Sequence, residues 1–291
     1  MVHDVKCKEK IDFTKMHGAG NDYIYIDGMH RIPEDLNDLA RKMSDYHFGI
    51  GSDGLVVITR SDVADFRMRM FNSDGSEAEM CGNASRCVGK FVYDRGLTQK
   101  TEVSLETGAG IKILHLHVVD GAVDSVTVDM GAPYLRAEEV PAVSSRGEVM
   151  MGEECDFGEF SYPVTAVGMG NPHCVIFTDK VTDEQVFSHG PVIERDLRYF
   201  PRKTNVEFAR VIDPANIEMR VWERGTGETF ACGTGACATA VAAIEEGRAD
   251  NDVTIHLLGG DLRIQWEGGA GDHVFMTGPA AFVCDGVFYR Y

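Results

Sequence analysis

Short runs in which apolar and polar residues alternate, or in which every residue is apolar, recur along this chain and predict half-buried or fully buried strands. In the first half they are YIYID (23–27), GLVVIT (54–59), DFRMRMF (65–71), TEVSLE (101–106) and KILHLHV (112–118), followed by a tight-turn pair, Asp120-Gly121, and then DSVTVDM. In the second half they are CVIF (174–177), IEMRVW (217–222), VTIHLL (253–258), LRIQW (262–266) and HVFM (273–276). Helical spacing is rarer. Leu36, Leu39, Ala40 and Met43 fall at i, i+3, i+4 and i+7 after Pro33, the signature of an amphipathic helix. Ala84, Val88, Phe91 and Val92 form an apolar stripe after Cys81 that Gly96 ends. After Cys232 the run GACATAVAAI carries no charge until Glu245. A helix apolar on all sides belongs inside a protein, so a sheet is expected to wrap it.

The pattern repeats. MRMFNSDGSEAEMCGNASRC (68–87) and MRVWERGTGETFACGTGAC (219–237) both run from Met-Arg to a Cys-Gly pair, small residues and a second Cys. Cys81 and Cys232 lie 151 positions apart, as do Asn72 and Glu223, and Arg69 and Arg220. GAGNDYIYI (18–26) and GMGNPHCVIF (168–177) match at an offset of 150. Chance likeness of two Gly/Cys-rich turns is the alternative, but three blocks in register weigh against it. The offset is about half the chain, which points to a duplication giving two α/β domains of like fold about a pseudo-twofold axis, linked near 130–145.

Charge and composition narrow the partners. Among 291 residues, 28 are basic and 46 acidic, a formal charge of −18. That balance disfavours nucleic acid and anionic membranes, which attract basic surfaces. No apolar stretch is long enough to span a membrane, and MVHDVKCKEKIDF lacks the apolar core of a signal peptide, so the cytoplasm is the expected compartment. Eight cysteines without an export signal are expected to be reduced, and some to be working thiols.

In each repeated block a strand ends at Cys-Gly-small-small and a helix starts. The helix dipole and the unpaired N–H groups favour thiolate at Cys81 and Cys232. The N–H groups of Gly82, Asn83, Gly233 and Thr234 can hold a carboxylate, which small residues let approach. Two such turns facing one another would place a sulfur on either side of one carbon. That arrangement suits racemisation or epimerisation of an α-amino acid, in which a base removes the α-proton from one face and an acid returns a proton to the other. The developing carbanion calls for preorganised N–H donors and exclusion of water. No lysine motif of the pyridoxal phosphate type stands out, and proton transfer of this kind needs no cofactor and no metal.

KMHGAGNDYIYID, FNSDGSEAEMCGNASRCVGKFV, GNPHCVIF, NVEF, ERGTGETFACGTGACA and GPAAFVCDG resemble the diaminopimelate epimerases in order and spacing over nearly the full chain. The resemblance implies an α/β fold of α+β type, in which two pseudo-symmetric domains each wrap a mostly antiparallel, curved sheet round a central helix. One domain would span 1–131 with 278–291 and carry Cys81, the other 132–277 with Cys232. It further implies interconversion of LL- and meso-2,6-diaminopimelate, in lysine and peptidoglycan synthesis, with no cofactor. Cys232 takes the role of the base acting on the LL isomer and Cys81 that of the acid, exchanging roles in reverse. The family's substrate-binding positions carry over to Asn21, Asn72, Gly82, Asn83, Asn171, Asn205, Glu223, Arg224, Gly233 and Thr234, with His173 in support. Arg224 and the amides of Asn72, Asn171 and Asn205 suit a distal carboxylate, and Glu223 an ammonium. Some members of the family form homodimers, and for this chain the sequence leaves a homodimer open without deciding it.

Three features depart from the family's pattern. Gly54 stands where a glutamine is common, Cys284 where an aromatic linked to dimer packing occurs, and Ala84 and Ser85 where glycine and a small or apolar residue are common.

Blander readings exist for the same residues. Cys81 and Cys87 could ligate a metal, but no second pair matches them. GTGACA fits the looser dinucleotide fingerprint, with Asp250 and Asp252 near the acidic position, yet its twin at Cys81 does not. Asn21 and Asn171 could be turn residues, Arg69 and Arg220 ion-paired strand residues, and Glu223 with Arg224 a surface pair. Cys87, Cys237, Cys174 and Cys7 read as buried apolar residues. Two further functions compete: epimerisation of another amino acid, such as histidine or lanthionine, and a redox-sensing or amino-acid-binding protein whose cysteines pair on oxidation.

Overall fold

The structure, a computed structural model, describes residues 9–269 and 271–291, so Cys7 lies outside the described residues. The chain divides into two compact units, one reaching Val128 and completed by Pro279–Tyr291, the other Asp129–Gly278.

In the first unit β1 (Glu9–Gly18) and β2 (Asn21–Asp27) form an antiparallel hairpin. Its turn is made by Ala19 and Gly20, both at positive φ (53° and 83°). After α1 (Leu36–Ser44), β3 (Gly54–Thr59) runs parallel to β2, and β4 (Phe66–Asn72) antiparallel to β3. β4 takes the two-residue β5 (Glu77–Ala78) and, beyond α2 (Gly82–Asp94), the parallel β6 (Glu102–Thr107). β7 (Gly110–Val119) and β8 (Ala122–Gly131) continue antiparallel, and the C-terminal strand, Ala281–Arg290, pairs antiparallel with β1.

The second unit begins with β9 (Glu153–Asp156), β10 (Ser161–Gly168) and β11 (Pro172–Phe177), then a π-helical turn (Gln185–His189) running into α3 (Gly190–Glu194). There follow β12 (Asn205–Asp213), β13 (Asn216–Glu223), β14 (Gly227–Glu228), α4 (Gly233–Glu245), β15 (Asp252–Leu257), β16 (Gly260–Gln265) and β17 (Val274–Pro279). Its ladder repeats that of the first unit step for step. β10 is antiparallel to β11, β11 parallel to β12, β12 antiparallel to β13, β13 parallel to β15, and β15 antiparallel to β16 and β16 to β17. The result is a mixed α+β fold, with mostly antiparallel pairing and a helix in the same place in each ladder.

Those two helices differ as their sequences dictate. α4 carries Ala, Gly, Thr and Cys where other helices carry long side chains, so strands can approach it closely, and it packs on β10 to β13, β15 and β16. Ten of its thirteen residues are buried. α2 keeps one polar face, on which Lys90 and Asp94 pair at 2.8 Å across one turn. On its inner side it buries Arg86 entirely. The segment 130–145, expected to link the halves, packs within the second unit, where Tyr134 exchanges backbone hydrogen bonds with Gly168 and the Val143 N–H donates to the Tyr199 carbonyl.

Candidate active site

Each repeated block places its cysteine at the N-cap of a helix, with extended backbone angles: Cys81 (φ −140°, ψ 124°) before α2 and Cys232 (φ −109°, ψ 108°) before α4. Gly82 and Gly233 are thus the first helical residues, and the N–H groups of the first turn point out of the helix end. The two sulfurs are held differently.

In the first unit Cys81 donates its S–H to Asn21 Oδ1 at 3.4 Å, the same oxygen that accepts from Asn83 Nδ2 at 3.3 Å. Asn21 is itself held by Asp53, whose Oδ2 accepts its Nδ2 at 2.7 Å, and Arg86 holds Asn83 through Oδ1 at 2.8 Å. The strained backbone of the preceding turn falls on Ala19 and Gly20, not on Asn21. Asn21 is therefore more than a turn residue, and its side chain is directed to the sulfur. Asn72 closes β4, where its Nδ2 donates to Ser76 Oγ at 3.0 Å. It stands in register with Gly54. A Cβ at Gly54 would lie 2.1 Å from the Phe71 carbonyl and 2.8 Å from the Tyr23 ring, so the departure from glutamine is built into the backbone spacing.

In the second unit the Cys232 sulfur accepts from the Gly235 N–H at 3.3 Å and lies 3.5 Å from Thr234 Oγ1. Gly170 carries the positive φ (89°) of the turn before β11, again sparing the asparagine. Asn171 Oδ1 meets His173 Nε2 at 2.9 Å, and His173 Nδ1 meets Glu207 Oε1 at 2.6 Å. His173 and Glu207 are completely buried. Asn205 spans two loops: its Nδ2 donates to the Pro172 carbonyl at 3.0 Å and its Oδ1 accepts the Arg224 N–H at 2.9 Å. Glu223 accepts from the Thr229 hydroxyl. Arg224 is exposed, its guanidinium on the Arg202 carbonyl at 3.2 Å, with no carboxylate partner among the described residues.

Helix position alone does not set the state of Cys232, and here the sequence expectation is corrected. Burial first, then the charges of Glu223 and Glu207, push the Cys232 thiol well above its ordinary range, while Thr234 and the Gly235 N–H offset this only in part. Desolvation of a thiolate outweighs a single helix end. Cys87 is likewise pushed up to about 11, mainly by burial, and lies on the buried side of α2 as its apolar reading implies. Arg69 pairs with Glu77 at 2.8 Å and Arg220 with Glu228 at 2.7 Å, as expected of strand residues.

Sequence reasoning singled out neither Glu207 nor Asp53 nor Arg86. The signal was present: a lone carboxylate inside NVEFARV, and an arginine on the otherwise apolar inner side of a helix.

The family model for diaminopimelate epimerase matches residues 13–136 and 165–283. A relative from Methanococcus maripaludis, named diaminopimelate epimerase, is 53% identical over 274 residues, covering 94% of this chain and 98% of its own. One of the same name from Acetivibrio thermocellus is also 53% identical, covering 94% of this chain and 97% of its own. Among solved structures, a PhzF-family phenazine biosynthesis protein from Bacillus anthracis is similar at TM-score 0.70 and 18% identity, over 96% of this chain and 99% of its own. A hydroxyproline epimerase from Agrobacterium vitis is similar at TM-score 0.69 and 15% identity, over 98% and 92%. These two share the fold.

Proposed function

This chain belongs to the diaminopimelate epimerase family, and from that membership we propose that it interconverts LL- and meso-2,6-diaminopimelate in lysine synthesis, as an isomerase that uses two cysteines and no cofactor. The observation that carries the reading is the repetition of one constellation: the same strand-turn-helix in two ladders of like order, each with a cysteine at the helix mouth.

In this reading Cys232 removes the α-proton of the LL isomer as thiolate, and Cys81 delivers a proton to the opposite face as thiol; the reverse reaction exchanges the roles. The N–H groups of Gly82, Asn83, Gly233 and Thr234 receive the reacting carboxylate, where negative charge grows as the proton leaves. Glu223 takes the α-ammonium. That contact neutralises one of the two charges that disfavour thiolate at Cys232, so the base forms with substrate bound. Arg224, lacking a carboxylate partner among the described residues, suits the distal carboxylate, with the amides of Asn72, Asn171 and Asn205 as further donors. Asn21 receives the S–H of Cys81 and fixes the direction from which its proton is given. His173 braces Asn171.

The partner is thus a small molecule, with no part for nucleic acid or a bilayer, and the reaction is placed in the cytoplasm. Among the described residues no helix is long and apolar enough to cross a membrane.

Reduced protein incubated with LL-diaminopimelate in D2O tests the reading. Deuterium enters the inverted α-carbon, and Cys81→Ala and Cys232→Ala each lose inversion by several orders of magnitude. Full turnover in either variant overturns the two-cysteine mechanism. A panel with histidine and lanthionine decides the substrate: histidine has no distal carboxylate to engage Arg224, and lanthionine, which has one, is separated from diaminopimelate by relative kcat/KM.

A further inference from the structure

Glu207 is a buried acid for which the mechanism above has no use. It projects from β12 with the whole residue removed from solvent, one oxygen on His173 Nδ1 at 2.6 Å and the other, Oε2, with no hydrogen-bond partner among the described residues. Burying a carboxylate is costly unless a charge, a dipole or a chain of hydrogen bonds repays it, so a carboxylate kept at such a place calls for a reason. Its surroundings supply one. A Cβ at Gly235 would lie 2.7 Å from Glu207 Oε1 and 3.2 Å from Cys232 Sγ. Carboxylate and sulfur therefore crowd one point at the first turn of α4, and both draw on the same helix end for stabilisation.

The first unit lacks this arrangement. By ladder register Glu207 stands opposite Val175 as Val56 stands opposite Tyr25, and His173 opposite Asn205 as Tyr23 opposite Gly54. Val56 is buried and apolar. The fold repeats, but the carboxylate and imidazole occur on the Cys232 side only.

We propose that Glu207 is a positioning residue of the Cys232 half-site: it fixes the His173 ring through Nδ1, and its charge beneath the helix end opposes loss of the proton from Cys232. The first effect leaves Nε2 as an acceptor turned to the Asn171 side-chain amide 2.9 Å away, whose NH2 group, exchanging places with Oδ1, then faces the ring, so one buried acid sets the orientation of a substrate-binding amide. The second makes the sulfur a stronger base once its proton is gone, and favours the thiol that meso-to-LL turnover consumes. The charged groups facing the sulfur are Glu207 from β12 and Glu223 from β13, with the Gly235 N–H and the Thr234 hydroxyl opposing them from α4. His173 and Cys174 of β11 are the titratable groups beside Glu207.

This inference deepens the reading above, yet its test needs no turnover. Thiolate absorbance in the ultraviolet, followed against pH in reduced protein and taken as a difference from the matching Cys232→Ser background, gives the ionisation midpoint of Cys232. In Glu207→Gln the midpoint falls by about one pH unit, tenfold more thiolate at a given pH below it. Glu207→Asp keeps the charge and stays close to the parent. An unmoved midpoint in Glu207→Gln, or an equal fall in both variants, overturns the electrostatic role. Nitrogen NMR of His173 in the unaltered protein tests the positioning role without relying on a variant that folds: Nδ1 carries the hydrogen, and a bare Nδ1 overturns it. Both results are readable even if diaminopimelate proves not to be the substrate.

Discussion

At Gly235 the absence of a side chain lets three groups share one corner: the Glu207 carboxylate, the Cys232 sulfur and the first turn of α4. In Gly235→Ala the new methyl meets Glu207 Oε1 at 2.7 Å, closer than van der Waals contact allows, and neither backbone nor buried carboxylate can yield freely. Overpacking of this kind destabilises by about 1–3 kcal/mol. The expected outcome is a lower denaturation midpoint together with a fall in kcat of an order of magnitude or more, since the displaced groups include the sulfur. Wild-type activity and stability in Gly235→Ala would show that this corner is looser than drawn. At this scale much of the site is legible in the sequence. Cys81, Cys232, Asn21 and Asn171 stand out through the repeat, whereas the side-chain amides of Asn72, Asn83 and Asn205 come only from the resemblance to the family. Glu207 and Arg86 do not stand out, because a charge buried within an apolar run has a meaning only when its partners, His173 in one case and Asn83 in the other, are folded against it.

Elements differ in how openly their sequences announce them. The run 54–59 is a strand with the bounds the pattern gives and the other apolar runs are strands whose ends shift by one to three residues, while α1 follows Pro33, α2 starts at Cys81 and stops just before Gly96, and α4 starts at Cys232. β1, β9, β10, β12 and the C-terminal strand were not foreseen as strands. β10 contains Pro163, which argues against a strand unless the ladder spares its missing N–H, and that residue pairs only with β9. β1 owes much of its order to a partner some 270 residues away, beginning with Glu9 opposite Arg290. No local signal reports such pairing. The burial of α4 was foreseen, and it makes a prediction that belongs to the helix as a unit. Ala240 is fully buried in the middle of α4, so Ala240→Asp forces a carboxylate into a site closed to water and costs about 3–5 kcal/mol or abolishes folding. Glu245→Ala, at the partly exposed end of the same helix, changes stability by about 0.5 kcal/mol or less. Urea unfolding of the two variants distinguishes a helix enclosed on all sides from one with a wet face. Equal, small effects would contradict the enclosure.

For the molecule as a whole, the cysteines tie stability to pH on the alkaline side. Burial pushes Cys87 up to about 11 and Cys155 up to about 12 from an ordinary value of 9.0, and raises Cys174 and Cys232 well above it. In the unfolded chain these thiols ionise near their ordinary value; in the folded chain they keep their protons. Folded values raised above unfolded ones mean that the native state binds more protons between the two, so stability is full below pH 9 and falls as pH climbs through the raised values. Each such thiol adds a slope of about 1.4 kcal/mol per pH unit over its own window. A protein that already carries a formal charge of −18 also loses stability at high pH through general repulsion, as its tyrosines and lysines shed protons. Salt separates the two causes, because repulsion among surface charges is screened while a buried thiol is not. The expected result is that denaturant stability of the reduced protein declines steeply from pH 9 to 11 even at high ionic strength, and that Cys87→Ala and Cys155→Ala each flatten the decline. Should salt abolish the decline, or should the alanine variants follow the parent curve, the buried thiols would not be its source and surface charge would account for all of it.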